Sequence, residues 1–277
     1  MELASRIAVQ RLLKQYGVRP RKALGQNFLV STAARNKLVA AAHIKEGDII
    51  VEIGAGLGAI TQELARRAGR VIAIERDENL CVVLENLFKD TPNVEILCDD
   101  ALKVFDIGIL SFGIPKTYKV LGNIPYKITG PLVRALVDAE KPPRSITFMA
   151  QKEVGERICA QPPHMSLLAL AVQHAAHASF IYTIPGGNFY PKPKVDSAVI
   201  TITPKAHDIS QDTKLFSVAK TAFQNPRKQI LGTLSRNLNK SRAETERALA
   251  SCNIAPAQRP QELSINQWHC LTEKLIR

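Results

Sequence analysis

The amino-acid sequence predicts an α/β fold, a mostly parallel sheet covered on both faces by helices, followed by a small all-α domain. Three observations lead there. Short apolar runs alternate with helical segments from Ile49 onward, the pattern of a parallel sheet buried on both sides. The first run ends in the glycine-rich turn Gly54-Ala55-Gly56-Leu57-Gly58, which opens directly into a helix. From about Asp208 the pattern is helical only. The expected boundaries are therefore 1–205 for the α/β domain, with a basic N-terminal arm, and 206–277 for the helical one.

Each element has a local reason. Ser31 or Thr32 can cap a helix running to about His43, and a turn at Lys45-Glu46-Gly47-Asp48 follows. Ile49–Ile53 is the first strand, and the helix after the glycines runs to about Ala68. Arg70–Ile74 is a strand stopping at Glu75, and Asp77 to Phe88 a helix. Val94–Leu97 is a third strand, ending at Asp99-Asp100, and Tyr118–Gly122 a fourth, ending at Asn123. A helix at Gly130–Asp138 and a break at Pro142-Pro143 precede a strand near Ser145–Met149. Helices near Lys152–Ala160 and Ser166–Ala175 follow, then a late antiparallel pair, Ser179–Ile184 and Val195–Thr203. The helical tail reads as Asp212–Gln224, Pro226–Leu238, Arg242–Ser251 and Ile265–Ile276.

The formal net charge is +12, which favours an extended anionic partner, nucleic acid before membrane. No apolar run is long enough to span a bilayer. Met1 to Lys22 lacks the apolar core of a secretory signal and is read as a mature basic arm. Five scattered cysteines, with no Cys-x-x-Cys pair, predict reduced thiols in a cytoplasmic protein and no zinc site. The histidines show no metal-ligand spacing, so no metal is expected.

In an open parallel sheet, ligands sit outside the carboxyl ends of the strands. Here those ends carry a coherent set. Gly54 and Gly56 let the backbone approach a ligand. Glu75, about 20 residues on, is placed to hold both ribose hydroxyls. Asp100, or Asp99 beside it, suits an adenine amine. The set predicts an adenine nucleoside. The spacing of the glycines favours S-adenosylmethionine over a nicotinamide dinucleotide, whose pyrophosphate prefers Gly-x-Gly-x-x-Gly. Asn123-Ile124-Pro125-Tyr126 adds an amide, carbonyls and an aromatic ring that can grip a flat base and accept hydrogen bonds from its amine.

These stretches carry a resemblance. Gly25 to Leu29, Val51 to Gly58, Ile74-Glu75, Asp99 to Ala101, Gly122 to Tyr126, Gln151 to Val154, Pro193 to Val199 and Phe223 to Lys228 resemble, in order and over nearly the whole chain, the ribosomal RNA adenine N6,N6-dimethyltransferases. The resemblance implies a Rossmann-like, S-adenosylmethionine-dependent methyltransferase domain with a small C-terminal helical domain. It implies dimethylation of two adjacent adenosines in the 3′-terminal hairpin loop of 16S rRNA, within an immature 30S particle, by a monomer. It places Asn27 and Leu29 on the methionine side of the cofactor, with Gly54, Gly56, Glu75, Asp100 and Asn123 completing that site. Asn123, Ile124, Pro125 and Tyr126 would hold the target base as the catalytic group. The chain departs from the family pattern at His164 to Leu168 and at Pro226, both outside the cofactor set.

Recognition of A-form RNA rests on shape, phosphates and loops, since its base edges are poorly accessible. The candidates for RNA contact are Arg21 and Lys22 in the arm, Lys192 and Lys194 in a late loop, and Arg227 and Lys228 in the helical domain. The competing readings are a large-subunit rRNA adenine methyltransferase of the macrolide-resistance type, an assembly factor acting mainly by binding, and a nicotinamide dehydrogenase.

Overall fold

The computed structural model describes residues 1–115, 117–124, 128–205 and 209–276. The chain forms two compact units: Met1–Gly155 with Ala178–Pro204, and Glu156–His177 with Lys205–Arg277.

The first unit begins with a helix that the basic N-terminus concealed. α1 (Arg6–Gln15) is capped by the Ser5 side chain, which accepts from the Ala8 N–H, and it buries Ala8, Val9, Leu12 and Leu13. The expected arm is therefore this helix plus the segment after it. A short strand β1 (Phe28–Leu29) and α2 (Thr32–Ala41), capped by Ser31, lead to β2 (Ile49–Ile53). Then come α3 (Thr61–Leu64), β3 (Arg70–Glu75), α4 (Glu78–Phe88), β4 (Val94–Cys98), α5 (Ala101–Ile107), β5 (Lys119–Asn123), α6 (Thr129–Val137) and β6 (Ile146–Gln151). α7 (Lys152–Ile158) and α8 (Leu167–Gln173) precede β7 (Ala176–Ile184), β8 (Phe189–Tyr190) and β9 (Ser197–Pro204).

Among the described residues the main sheet has seven strands in the order β4-β3-β2-β5-β6-β9-β7. Its β4-to-β6 part is parallel, and β9 runs antiparallel to β6. The chain winds outward from β2 through β3 to β4, then returns to the other side of β2 at β5. The topological switch point is therefore between β2 and β5, where α/β folds bind ligands. The two strands approach closely: a Cβ on Gly122 would overlap the Ile53 carbonyl oxygen, so only glycine fits there. Separately, β1 pairs antiparallel with β8, tying the segment after α1 to the late loop.

The second unit packs α8 with α9 (Ile209–Phe223), α10 (Ile230–Asn237), α11 (Arg242–Ser251) and α12 (Ile265–Leu275). Its core gathers Met165, Ala169 and Leu170 with Leu215, Val218, Leu234, Leu249 and Trp268. The boundary at Pro204/Lys205 lies one residue from the expected 205/206, but Glu156–His177, expected in the α/β domain, groups with the second unit. Glu156–His177 reads as one more helical stretch of the α/β repeat, but its apolar residues are buried among the C-terminal helices. α11 and α12 begin with full capping boxes, Ser241/Glu244 and Ser264/Gln267.

The cysteine expectation is also corrected. Cys81 on α4 is disulfide-bonded to Cys98 at the end of β4, with Cα atoms 5.9 Å apart, and Cys252 to Cys270, at 5.7 Å. Cys159 is free. Neither pair has a motif spacing; packing of α4 against β4, and of α11 against α12, brings the partners together. No helix of the described residues is long and apolar enough to cross a membrane.

Candidate active site at the strand ends

A cavity of ≈ 390 Å³ opens at the carboxyl ends of β2, β3, β4 and β5. Asn27, Leu29, Gly54, Gly56, Glu75, Asp100 and Asn123 all line it. Residues far apart in sequence thus meet around one space, within the usual range for a small-molecule pocket.

The floor is the glycine turn. Gly54 and Gly56 have φ of 74° and 62°, a conformation that side chains with a Cβ rarely adopt. A Cβ on Gly56 would also come within 3.3 Å of the Phe28 ring, which closes the cavity from the β1 side.

Glu75 ends β3 and is buried. Its Oε1 accepts the N–H groups of Arg76 and Asp77, both at 2.9 Å, and its Oε2 accepts the Gly56 N–H at 2.8 Å. Burial pushes the carboxyl above its ordinary value, and the three backbone donors oppose that shift. A carboxylate has about four acceptor sites; with three backbone donors in place, the open one is on Oε2.

Asp100 follows β4 and caps α5: its Oδ1 accepts the Leu102 N–H at 3.0 Å. Its Oδ2 is paired with Arg76 Nη1 at 3.1 Å, so a guanidinium spans the ends of β3 and β4. Asp99, the alternative to Asp100, is turned to Lys103 at 3.0 Å, and that hydrogen bond holds its carboxyl below the usual range. Both carboxylates line the cavity, each beside a cation.

Asn123 ends β5. Its Nδ2 donates to the Asn27 backbone carbonyl at 3.0 Å, while the Asn27 side chain donates to the Gly25 carbonyl. With the amide nitrogen committed to the protein, the Asn123 side-chain oxygen is left as the available acceptor. Ile124 is buried. Pro125 and Tyr126, the other two residues expected to act on the base, lie outside the described residues. Phe189 is fully buried in the core with Leu29 and Leu38.

Three polar lining residues were not singled out in the sequence: Gln26, Arg76 and Gln151. Gln26 and Gln151 stand inside stretches that carried the resemblance, and Arg76 follows Glu75 directly. None had a distinctive spacing of its own.

The expected RNA contacts fall in both units. Lys192 and Lys194 are exposed, in a loop pinned where the Gly186 N–H donates to Asp196 Oδ1 at 2.9 Å. Arg21 is half exposed and reaches Asp77 at 3.5 Å, while Lys22 also lines the cavity. Arg227 and Lys228, in the helical unit, are exposed just before α10.

One further acid lies close by in sequence. Glu52, on β2, is wholly buried, and neither of its oxygens has a well-formed hydrogen bond among the described residues. Burial pushes its carboxyl up to about 8, with Thr61 opposing the shift without reversing it.

Residues 17–277 match the family model described as ribosomal RNA adenine dimethylase. The chain is similar to the ribosomal RNA small subunit methyltransferase A of Dehalococcoides mccartyi, 38% identical over 94% of this chain and 90% of the relative. The protein of the same name from Moorella thermoacetica is 38% identical over 95% of each. Among solved structures, a dimethyladenosine transferase from Plasmodium falciparum superposes with a TM-score of 0.70 at 26% identity, covering 88% of this chain and 95% of that one. The 23S rRNA methyltransferase ErmE superposes with a TM-score of 0.73 at 24% identity, covering 91% and 100%, a likeness of fold.

Proposed function

The chain belongs to the ribosomal RNA adenine dimethylase family, and from that membership we propose how its cavity serves the reaction. The protein is an rRNA adenine N6,N6-dimethyltransferase of the small-subunit type. We infer that it draws methyl groups from S-adenosylmethionine. Its target is two adjacent adenosines in the 3′-terminal hairpin loop of 16S rRNA, in an immature 30S particle in the cytoplasm, and it acts as a monomer.

The residues present fit that cofactor. At Gly56 a φ of 62° favours glycine, and a Cβ would press on the Phe28 ring at 3.3 Å. Glu75 is locked by backbone N–H groups and keeps an acceptor site on Oε2 for a ribose hydroxyl. Asp100 can accept from an exocyclic adenine amine while Arg76 holds it in place. Asn27 and Leu29 bound the methionine side. When bound, S-adenosylmethionine supplies a methyl already activated by its sulfonium.

The observation that carries the reading is the orientation of Asn123. Adenine N6 is a poor nucleophile because its lone pair is delocalised into the ring. An acceptor placed against its N–H favours the pyramidal amine whose lone pair can attack. Asn123 is fixed for that work, because Asn27 takes its N–H and leaves Oδ1 as acceptor. The Ile124 carbonyl is the second acceptor in this reading, and Tyr126 stacks on the base, worth ~1–3 kcal/mol as for other base–aromatic contacts. The target base leaves its stack or comes from a loop to reach the cavity. Positioning supplies much of the remaining catalysis, and the proton leaves after transfer. Arg21, Lys22, Lys192, Lys194, Arg227 and Lys228 take phosphates in this reading, each supplying a salt-dependent share of affinity.

The test is transfer of labelled methyl groups to immature small subunits from cells lacking the cognate enzyme, with mature subunits, large subunits and DNA as controls. The expected product is dimethyladenosine near the small-subunit 3′ end. Label in large-subunit RNA would overturn the substrate assignment. Bound cofactor without transfer would overturn the catalytic one.

A further inference from the structure

We propose that Gln26 is a positioning residue, a latch that holds the segment Arg21–Leu29 closed over the cofactor cavity by donating to Asp77. The inference rests on the cofactor reading of the cavity and adds to it a residue whose work is to keep the roof in place.

The Asp77 side chain is fully buried. It caps α4, its Oδ1 accepting the Asn79 N–H at 3.1 Å. Its Oδ2 accepts Gln26 Nε2 at 2.8 Å. The other end of the same amide, Gln26 Oε1, accepts the Arg21 N–H at 2.7 Å. One side chain therefore closes the turn of its own segment and ties that turn to the corner of the sheet that carries Glu75. The tie is short in structural terms, because the Asp77 N–H is itself one of the donors to Glu75.

The segment is held at its next residue as well, where the Asn27 carbonyl takes the Asn123 amide. Gln26 thus anchors it at the ribose corner and Asn27 at the target-amine corner. Release at Gln26 would free the roof over the cofactor, while the Asn27 carbonyl keeps its hold on Asn123. Arg21 is arranged differently. It meets the opposite oxygen, Oδ1, at 3.5 Å and its side chain is 57% exposed. The guanidinium can leave to meet an RNA phosphate while Gln26 keeps Oδ2, so the roof stays latched as RNA arrives.

The test reverses the direction of one hydrogen bond. Gln26→Glu keeps the acceptor for the Arg21 N–H and loses only the donor, setting a carboxylate against Asp77. Binding of S-adenosylhomocysteine, followed by calorimetry, should weaken roughly tenfold to a hundredfold, the effect of losing a hydrogen bond to a charged group. Turnover at saturating cofactor should fall much less. Hydrogen exchange should quicken at residues 21–29 and stay unchanged in β2 to β5. Adding Asp77→Asn restores a donor facing the introduced carboxylate, and Asn caps a helix as well as Asp; the double variant should regain most of the affinity.

Wild-type affinity in Gln26→Glu would overturn the latch. So would a double variant no tighter than the single one, which would mark Gln26 as packing alone. Failure of the unmodified protein to bind S-adenosylhomocysteine would instead overturn the cofactor reading itself.

Discussion

Glu52 and Glu75 end up close to one another on adjacent parallel strands, both buried, with opposite surroundings. Glu75 stands at the strand end, receives three backbone N–H groups and faces the cavity. Glu52 lies one residue before the end of β2, within the strand, and has no well-formed partner among the described residues. Burial raises both carboxyls, but only Glu75 has donors that work against the shift in number. The difference teaches that burial alone does not mark an acid that lines the cavity. What sets Glu75 apart is its satisfaction by the backbone at a strand end that lines the cavity, which opposes the effect of burial.

The sharpest way to break that contrast is to remove Glu75. Glu75→Ala takes away the acceptor proposed for the ribose and leaves the Gly56, Arg76 and Asp77 N–H groups without their partner. Hydrogen bonds to a charged group are worth about 1.5–3 kcal/mol each, so cofactor binding should weaken by about a hundredfold or more. Calorimetric titration checks it. Affinity within a few-fold of wild type would mean that Glu75 only braces the turn.

Asn123→Ala probes the other corner. A preorganised acceptor used in the transition state should cost about 10²–10³ in turnover when removed, by analogy with the loss of one oxyanion-hole donor. Cofactor affinity should change far less, because the roof remains tied through Gln26. Single-turnover methylation and cofactor titration on the same protein separate the two. Equal losses in both would place Asn123 in cofactor binding rather than in activation of the amine.

How much of this was legible in the sequence depended on whether the signal was local. The first four strands of the main sheet and the end residues that line one cavity were legible, because strand, turn and end residue are contiguous: Ile49–Ile53 runs into Gly54, Arg70–Ile74 into Glu75. α1 was hidden, although Ala8, Val9, Leu12 and Leu13 keep helical spacing, since the basic residues between them read as an arm. The placement of Glu156–His177 was not legible, because a helix carries no label for which core it joins. Nor were the two disulfides, which depend on packing between elements rather than on spacing. The same limit hid Gln26: its partner Asp77 is distant in the chain, and only folding brings an amide and a cap together.

The smallest effect concerns Glu52, and it is one of stability rather than catalysis. Its folded carboxyl, at about 8, lies above the ordinary 4.5. Between those values the native state holds a proton that the unfolded chain has released. Stability from this site is therefore fully present below about pH 4.5 and is lost as pH rises through about 8. Each pH unit inside that window is worth at most about 1.4 kcal/mol. Relaxation and water penetration reduce the total, so the loss should be on the order of 2 kcal/mol. Glu52→Gln keeps the shape of the protonated acid and has no proton to lose at this position. Denaturant unfolding at pH 5 and at pH 8 should show wild type and variant nearly equal at the lower pH, and the variant more stable at the higher one. Parallel curves across that range would mean that Glu52 titrates near its ordinary value, through a partner that water or the cofactor supplies. The contrast with Glu75 would then be one of position alone.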